Sequence, residues 1–130
     1  MANSRRGNGA SERRTRERRG RRAETRAAIA LRLKGYRILD ARVRTPAGEV
    51  DLVVRRGRVV AFVEVKARQT RERAADSISP TQRRRIVRAA AHYIAANPAL
   101  AGLTHRFDAV LVEPRRWPHH IRNAWTESGD

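Results

Sequence analysis

From Gly20 to Lys34 apolar residues return at helical spacing, at Ala23, Ala27, Ala30 and Leu31, and a glycine follows. That repeat turns one helix face inward, and Gly35 stands where a helix ending in the left-handed conformation wants a residue without Cβ. The pattern then changes. Three segments rich in Val, Ile, Leu and Phe follow, at about Tyr36 to Val43, Glu49 to Arg55 and Arg58 to Lys66, the first two parted by Thr45-Pro46-Ala47-Gly48. They read as strands. The second and third are apolar at nearly every position, which suits strands buried on both faces and implies a central sheet.

After a polar stretch from about Ala67 to Ile78, Ser79-Pro80-Thr81-Gln82 predicts a helix start: Ser as N-cap, Pro at the first helical position and Gln three residues on to complete a capping box. Ile86, Ala89, Ala90, Tyr93 and Ile94 form the apolar stripe of this helix, Arg83, Arg84, Arg85 and Arg88 crowd its first half, and Asn97-Pro98 ends it. A further strand is expected over Arg106 to Glu113, stopped by Pro114. Trp117 to Trp125 is too short for an assignment. The order is helix, three strands, helix, strand, an α/β arrangement. One domain over residues 20–126 is expected, with an arm at 1–19 and a tail at 127–130.

Charge narrows the partners. The chain has 130 residues and a formal charge of +17. A balance so basic repels itself on folding and points to a polyanion, nucleic acid before an acidic membrane. No apolar run approaches the roughly 20 residues that span a bilayer, and the basic N-terminal stretch lacks the apolar segment of a signal peptide, so a cytoplasmic protein with no membrane partner is expected. Cysteine is absent, which excludes disulfides, thiolate metal sites and thiol catalysis. The arm is Arg, Ser, Gly, Asn and Glu with almost nothing apolar, and reads either as a clamp on phosphates or as an unselected extension.

Nearly every basic residue is arginine; the only lysines are Lys34 and Lys66. Lys66 ends Phe62-Val-Glu-Val-Lys66, and Gly48-Glu-Val-Asp51 opens the preceding strand. If Arg56-Gly57 is the turn, Arg55 pairs with Arg58, Asp51 with Phe62 and Glu49 with Glu64. Glu49, Asp51, Glu64 and Lys66 then share one face, with Asp51 and Glu64 as diagonal neighbours whose Cβ atoms are about 7 Å or less apart. A loop of odd length would send Asp51 to the other face. Two carboxylates on buried strands repel and lose solvation, so one is protonated or a cation lies between them. Mg²⁺ or Mn²⁺ suits oxygen donors, here Asp51, Glu64 and the backbone carbonyl of Val65. Lys66 would orient or deprotonate water, or offset charge on a phosphate, giving phosphodiester hydrolysis. Taken singly, Glu-x-Lys on a strand is more often a solvated salt-bridged face. Glu24 lies at the edge of the first helix's buried stripe, either seeking a partner there or serving the positive end of the helix dipole. His92, His105, His119 and His120 read as surface or edge residues.

The element order, with Asp and Glu-x-Lys on the second and third strands, resembles the restriction-endonuclease-like PD-(D/E)xK superfamily, whose core is αβββαβ around a mixed sheet flanked by helices. Gly20-Arg-Arg-Ala-Glu24, Gly35-Tyr-Arg-Ile-Leu39, Gly48-Glu-Val-Asp-Leu52, Phe62-Val-Glu-Val-Lys-Ala-Arg68, Arg106-Phe-Asp108 and His120-Ile-Arg-Asn-Ala-Trp125 narrow it to the YraN family of bacterial predicted endonucleases, similar to archaeal Holliday-junction resolvases. The resemblance implies catalytic roles for Asp51, Glu64 and Lys66, with Glu24 completing the site as in the resolvases, and a homodimer that pairs two sites. Gln82, Arg68, Arg83 and Arg84 are the candidate nucleic-acid contacts. The arginine arm extends beyond the family core, and Gln69-Thr-Arg-Glu-Arg73 stands where the family often has an aromatic or glycine. The expected function is a Mg²⁺- or Mn²⁺-dependent nuclease on DNA, branched or flapped structures included. The competing expectation is a non-catalytic binder of DNA or RNA whose acidic cluster is a structural ion pair.

Overall fold

A computed structural model describes residues 20–68 and 78–130. The arm at 1–19 and most of the polar stretch after β3, with the Gln69 to Arg73 segment, lie outside the described residues.

Helix α1 covers residues 20–33. It ends as the glycine anticipated: Gly35 has φ 91°, its N–H bonds the carbonyl of Arg32 at 3.0 Å, and the Tyr36 N–H bonds that of Leu31 at 3.0 Å. This pair of bonds is a Schellman closure. Then come β1 (Arg37–Thr45), β2 (Gly48–Arg56), β3 (Val59–Ala67), helix α2 (Pro80–Ala96), a 3₁₀ turn (Pro98–Leu100), β4 (Thr104–Val112) and β5 (His119–Trp125). The sheet order is β1-β2-β3-β4-β5, antiparallel except for the β3–β4 pair. Strands β3 and β4 run parallel because the segment joining them, α2 included, crosses back over the sheet.

The sheet is covered on both faces, which is why β2 and β3 are apolar almost throughout. Ala23, Ala27 and Leu31 of α1 pack with Tyr36, Leu52, Val54, Ala61, Val63 and Val110 on one face. Ile86, Ala89 and Ala90 of α2 pack with Val50, Val53, Phe62 and Phe107 on the other.

Three expectations needed correction. The β2–β3 turn is Gly57-Arg58, because Arg56 pairs with Val59 and Leu52 with Val63. Gly57 takes φ 59°, which a two-residue hairpin demands at its first central position and which glycine adopts at least cost. Asp51 and Glu64 lie just beyond the last ladder pair, Leu52 with Val63; the loop length stays even, and the two line one cavity on the same face. The unassigned tail is a fifth strand, with Ala109 opposite Ile121, and Trp125 stacks on Phe107 with centroids 5.9 Å apart. The capping box is half present: Ser79 Oγ accepts from the Gln82 N–H at 3.1 Å, but the Gln82 side chain turns elsewhere.

Candidate active site

The sheet forks where the acidic residues stand. The β2–β3 ladder ends at Leu52 and Val63, and beyond it the Val65 N–H donates to Asp51 Oδ2 at 2.7 Å. A side chain thus takes the place of a backbone carbonyl. Alternation also breaks here: Val50 and Val53 both pack toward α2, whereas regular pleating would put residues three apart on opposite faces. Across the β1–β2 ladder, between the Ala41–Leu52 and Val43–Val50 pairs, Arg42 has φ 53°, an uncommon conformation for a non-glycine residue. The backbone is bent on both strands around Asp51.

Glu64 is buried. Gln82 Nε2 donates to its Oε1 at 3.0 Å, and Lys66 Nζ stands 3.3 Å from the same oxygen. This is where the Gln82 side chain goes: two residues into α2, it reaches down to the carboxyl of Glu64 and joins the site. Together Asp51, Glu64, Glu49, Gln82 and Arg85 line a cavity of about 230 Å³ closed by Ile86. Lys66 lies outside this lining, attached through Glu64.

Burial drives the protonation of the pair. It pushes Glu64 up to about 8, helped by the neighbouring Asp51 and opposed by Lys66. Asp51 is also raised, first by burial and further by Glu24, against the Val65 N–H that favours its charged form. Each carboxyl thus stands in the field of the other, which disfavours both being charged at once.

Glu24 comes to the same region from α1 and accepts from Arg42 Nε at 2.8 Å. It reaches Asp51 through its field, and it does not line the cavity. Among the described residues no three His, Cys, Asp or Glu side chains form a ligand group, so the geometric core is a pair. The donors still fit a hard divalent ion that keeps several waters: two adjacent carboxyl groups and, on the same edge of β3 as its N–H, the Val65 carbonyl.

The other candidates divide. Arg83 and Arg84 lie on α2 outside the cavity, with Arg84 Nη2 3.5 Å from Thr81 Oγ1. Arg68 follows β3 and faces a second cavity toward α1. Arg85 was missed, although its position three residues after Gln82 puts it on the same helix face. Gly48 lies beside Arg85, where a Cβ would make an ordinary contact at 3.5 Å; it is the φ of 154° that favours glycine there.

His120 is no surface residue. Its side chain is 2% exposed, with Nε2 2.7 Å from Asp108 Oδ2 and Nδ1 3.1 Å from Lys34 Nζ. Asp108 also takes both prongs of Arg106, at 2.8 Å each, and the Asn123 N–H at 3.0 Å. Burial works to raise the Asp108 pKa, but the hydrogen bonds from His120, Arg106 and Asn123 outweigh it and the group is depressed. This knot fastens β5 to β4, and Arg106 extends it to the Tyr36 hydroxyl at 2.6 Å. His105 is likewise engaged, its Nε2 2.8 Å from the Leu100 carbonyl.

Among the described residues no helix is long and apolar enough to cross a membrane. Similar proteins include UPF0102 proteins of Parvibaculum lavamentivorans, 58% identical over 82% of this chain and 80% of the relative, and of Maricaulis maris, 57% identical over 87% and 89%. One of Paramagnetospirillum magneticum is 55% identical over 84% and 88%. The model of the uncharacterised protein family UPF0102 matches residues 23–112, a span holding Glu24, Asp51, Glu64, Lys66 and Gln82, and the chain belongs to that family.

Proposed function

We propose that the protein is a metal-dependent nuclease that hydrolyses phosphodiester bonds in DNA, branched and flapped structures included. The observation that carries this reading is the pair of half-buried Asp51 and buried Glu64 at the fork of β2 and β3, with Lys66 on the second carboxyl. Asp51, Glu64 and the Val65 carbonyl would hold Mg²⁺ or Mn²⁺. The bound ion would supply a hard positive centre for a phosphate oxygen and a more acidic water.

The remaining work belongs to the chain's own groups. Gln82 fixes one oxygen of Glu64, which limits the directions in which the carboxylate can point. Lys66 is a cation held at this carboxylate, suited to orient the attacking water and to offset the charge that grows on the phosphate oxygens. Hydrolysis forms a bond from the water oxygen to phosphorus and breaks the bond from phosphorus to one deoxyribose oxygen. The attacking water's proton leaves to base or solvent, and the departing oxygen gains one. Arg85, at the cavity wall, offers a guanidinium to the non-bridging oxygens. The formal charge of +17 supports a polyanionic substrate. Two copies would present two such sites, one to each strand of a junction.

Purified protein incubated with flap, junction and single-stranded DNA and Mg²⁺ or Mn²⁺ tests the reading. Cleavage is expected, and is expected to vanish in Asp51→Asn and Glu64→Ala. Cleavage unchanged in both variants would remove these residues from the site. Salt-sensitive binding without cleavage, indifferent to metal and to Asp51→Asn, would mark a non-catalytic binder.

A further inference from the structure

On the α1 face of the sheet, where β3 and β4 end, a cavity of about 460 Å³ is walled by Arg22 and Arg26 of α1 and by Arg68, with Ala67, Val112 and Pro114 as its apolar floor. Its charge is one-sided. The one carboxylate in the lining, Glu113, stands 3.8 Å from Arg116, outside the cavity, and so is already engaged. Arg26 is stretched across the wall, its Nη1 donating to the Glu113 carbonyl at 3.0 Å and its Nη2 to the Arg116 carbonyl. Neutral carbonyls fix this guanidinium without cancelling its charge. An arginine held that way is preorganised to meet an anion or the face of a base. Arg22 and Arg68 are exposed and complete the rim.

The cavity's position ties it to the acidic pair. Arg68 follows Glu64 by four residues, about 13 Å along an extended chain. The acidic pair lies on the α2 face and the cavity on the α1 face, so a strand serving both would pass from one face of the sheet to the other beside β3. The volume falls in the range of roughly 300–1,000 Å³ that encloses small ligands, enough for one nucleotide and too little for duplex. An apolar floor beneath guanidiniums matches a base face with a phosphate at its side.

We infer that this cavity takes a single unpaired nucleotide of the DNA strand that passes the Asp51–Glu64 site, its phosphate on Arg22 and Arg68 and its base over the apolar floor. The inference rests on the proposed nuclease reading for its choice of ligand. The site would thereby favour flapped over fully paired DNA.

Binding measured in EDTA separates this inference from cleavage, since it needs no metal. Fluorescence anisotropy would compare a labelled duplex bearing a single-stranded flap with a blunt duplex of the same length, over a salt series. The full-length protein is expected to prefer the flap, and Arg22→Ala/Arg68→Ala is expected to lose about tenfold on the flap and little on the duplex, the size of one or two charge-assisted hydrogen bonds. The salt slope on the flap should fall by about 0.7 for each single-strand phosphate that the variant leaves without an arginine. Arg32→Ala/Arg37→Ala removes the same charge from exposed positions elsewhere and should leave the preference intact. An equal loss on both DNAs in Arg22→Ala/Arg68→Ala, or no preference in the unmodified protein, would overturn the inference. Cleavage that fails while the preference persists would count against the nuclease reading alone.

Discussion

Glu64 concentrates the chemistry of the molecule in one side chain. Its folded-state pKa is raised to about 8, so the folded protein holds the proton more tightly than the unfolded chain. The stability this contributes is complete below the unfolded value near 4.5 and is lost as pH rises toward 8. Asp51 is shifted the same way and adds to the slope. Asp108, depressed, acts in the opposite sense and only in acid. In EDTA the melting temperature is therefore expected to fall from pH 5 to pH 8, and Glu64→Gln, which keeps the shape and removes the titration, should flatten that fall. Thermal melts across this range check it; a profile unchanged by Glu64→Gln would contradict the raised pKa of Glu64. Asp108 is a buried charge with three kinds of donor around it, and Asp108→Ala would strand Arg106. A loss of about 3–5 kcal/mol in denaturant unfolding is expected, as for other buried ion pairs with one partner removed.

At the scale of elements, α2 does two jobs with its first turn. Ser79 caps the helix through the Gln82 backbone, while the Gln82 side chain holds Glu64. The two roles separate by mutation: Ser79→Ala should cost about 1 kcal/mol of stability, whereas Gln82→Ala should cost little stability and mainly loosen metal binding. Melts and metal titrations of the two variants distinguish them. Gly48 has φ 154°, so Gly48→Ala is strained whatever the space, with an expected cost of about 1–3 kcal/mol in unfolding experiments. Sequence revealed the helices through their periodicity and the Schellman glycine, and β2 and β3 through their unbroken apolar runs. It left β5 unassigned because that strand is short and its anchors, the β4 ladder, Asp108 and Phe107, are long-range partners that no local pattern displays. The capping-box pattern was similarly ambiguous: Ser and Gln at that spacing fit both a full box and a half box with the amide free to act elsewhere.

For the whole molecule, the fork between β2 and β3 is the organising feature. Pairing arithmetic placed Asp51 and Glu64 on one face, and this survived a shift of the turn from Arg56-Gly57 to Gly57-Arg58 because an even loop preserves side-chain phase. What sequence could not display was the break in the ladder, where Asp51 bonds the Val65 N–H. It depends on how β2 and β3 part beyond Leu52 and Val63, which no local pattern displays. The metal site is the claim on which the proposed function turns. Titrating Mn²⁺ into the protein by calorimetry at pH 7, in two buffers of different ionisation enthalpy, tests it most directly. Since Glu64 holds its proton at that pH, binding should release close to one proton, and both the binding and the release should be lost in Asp51→Asn and Glu64→Gln. Binding that persists unchanged in both variants, or no binding to the unmodified protein, would contradict a metal centre at Asp51 and Glu64.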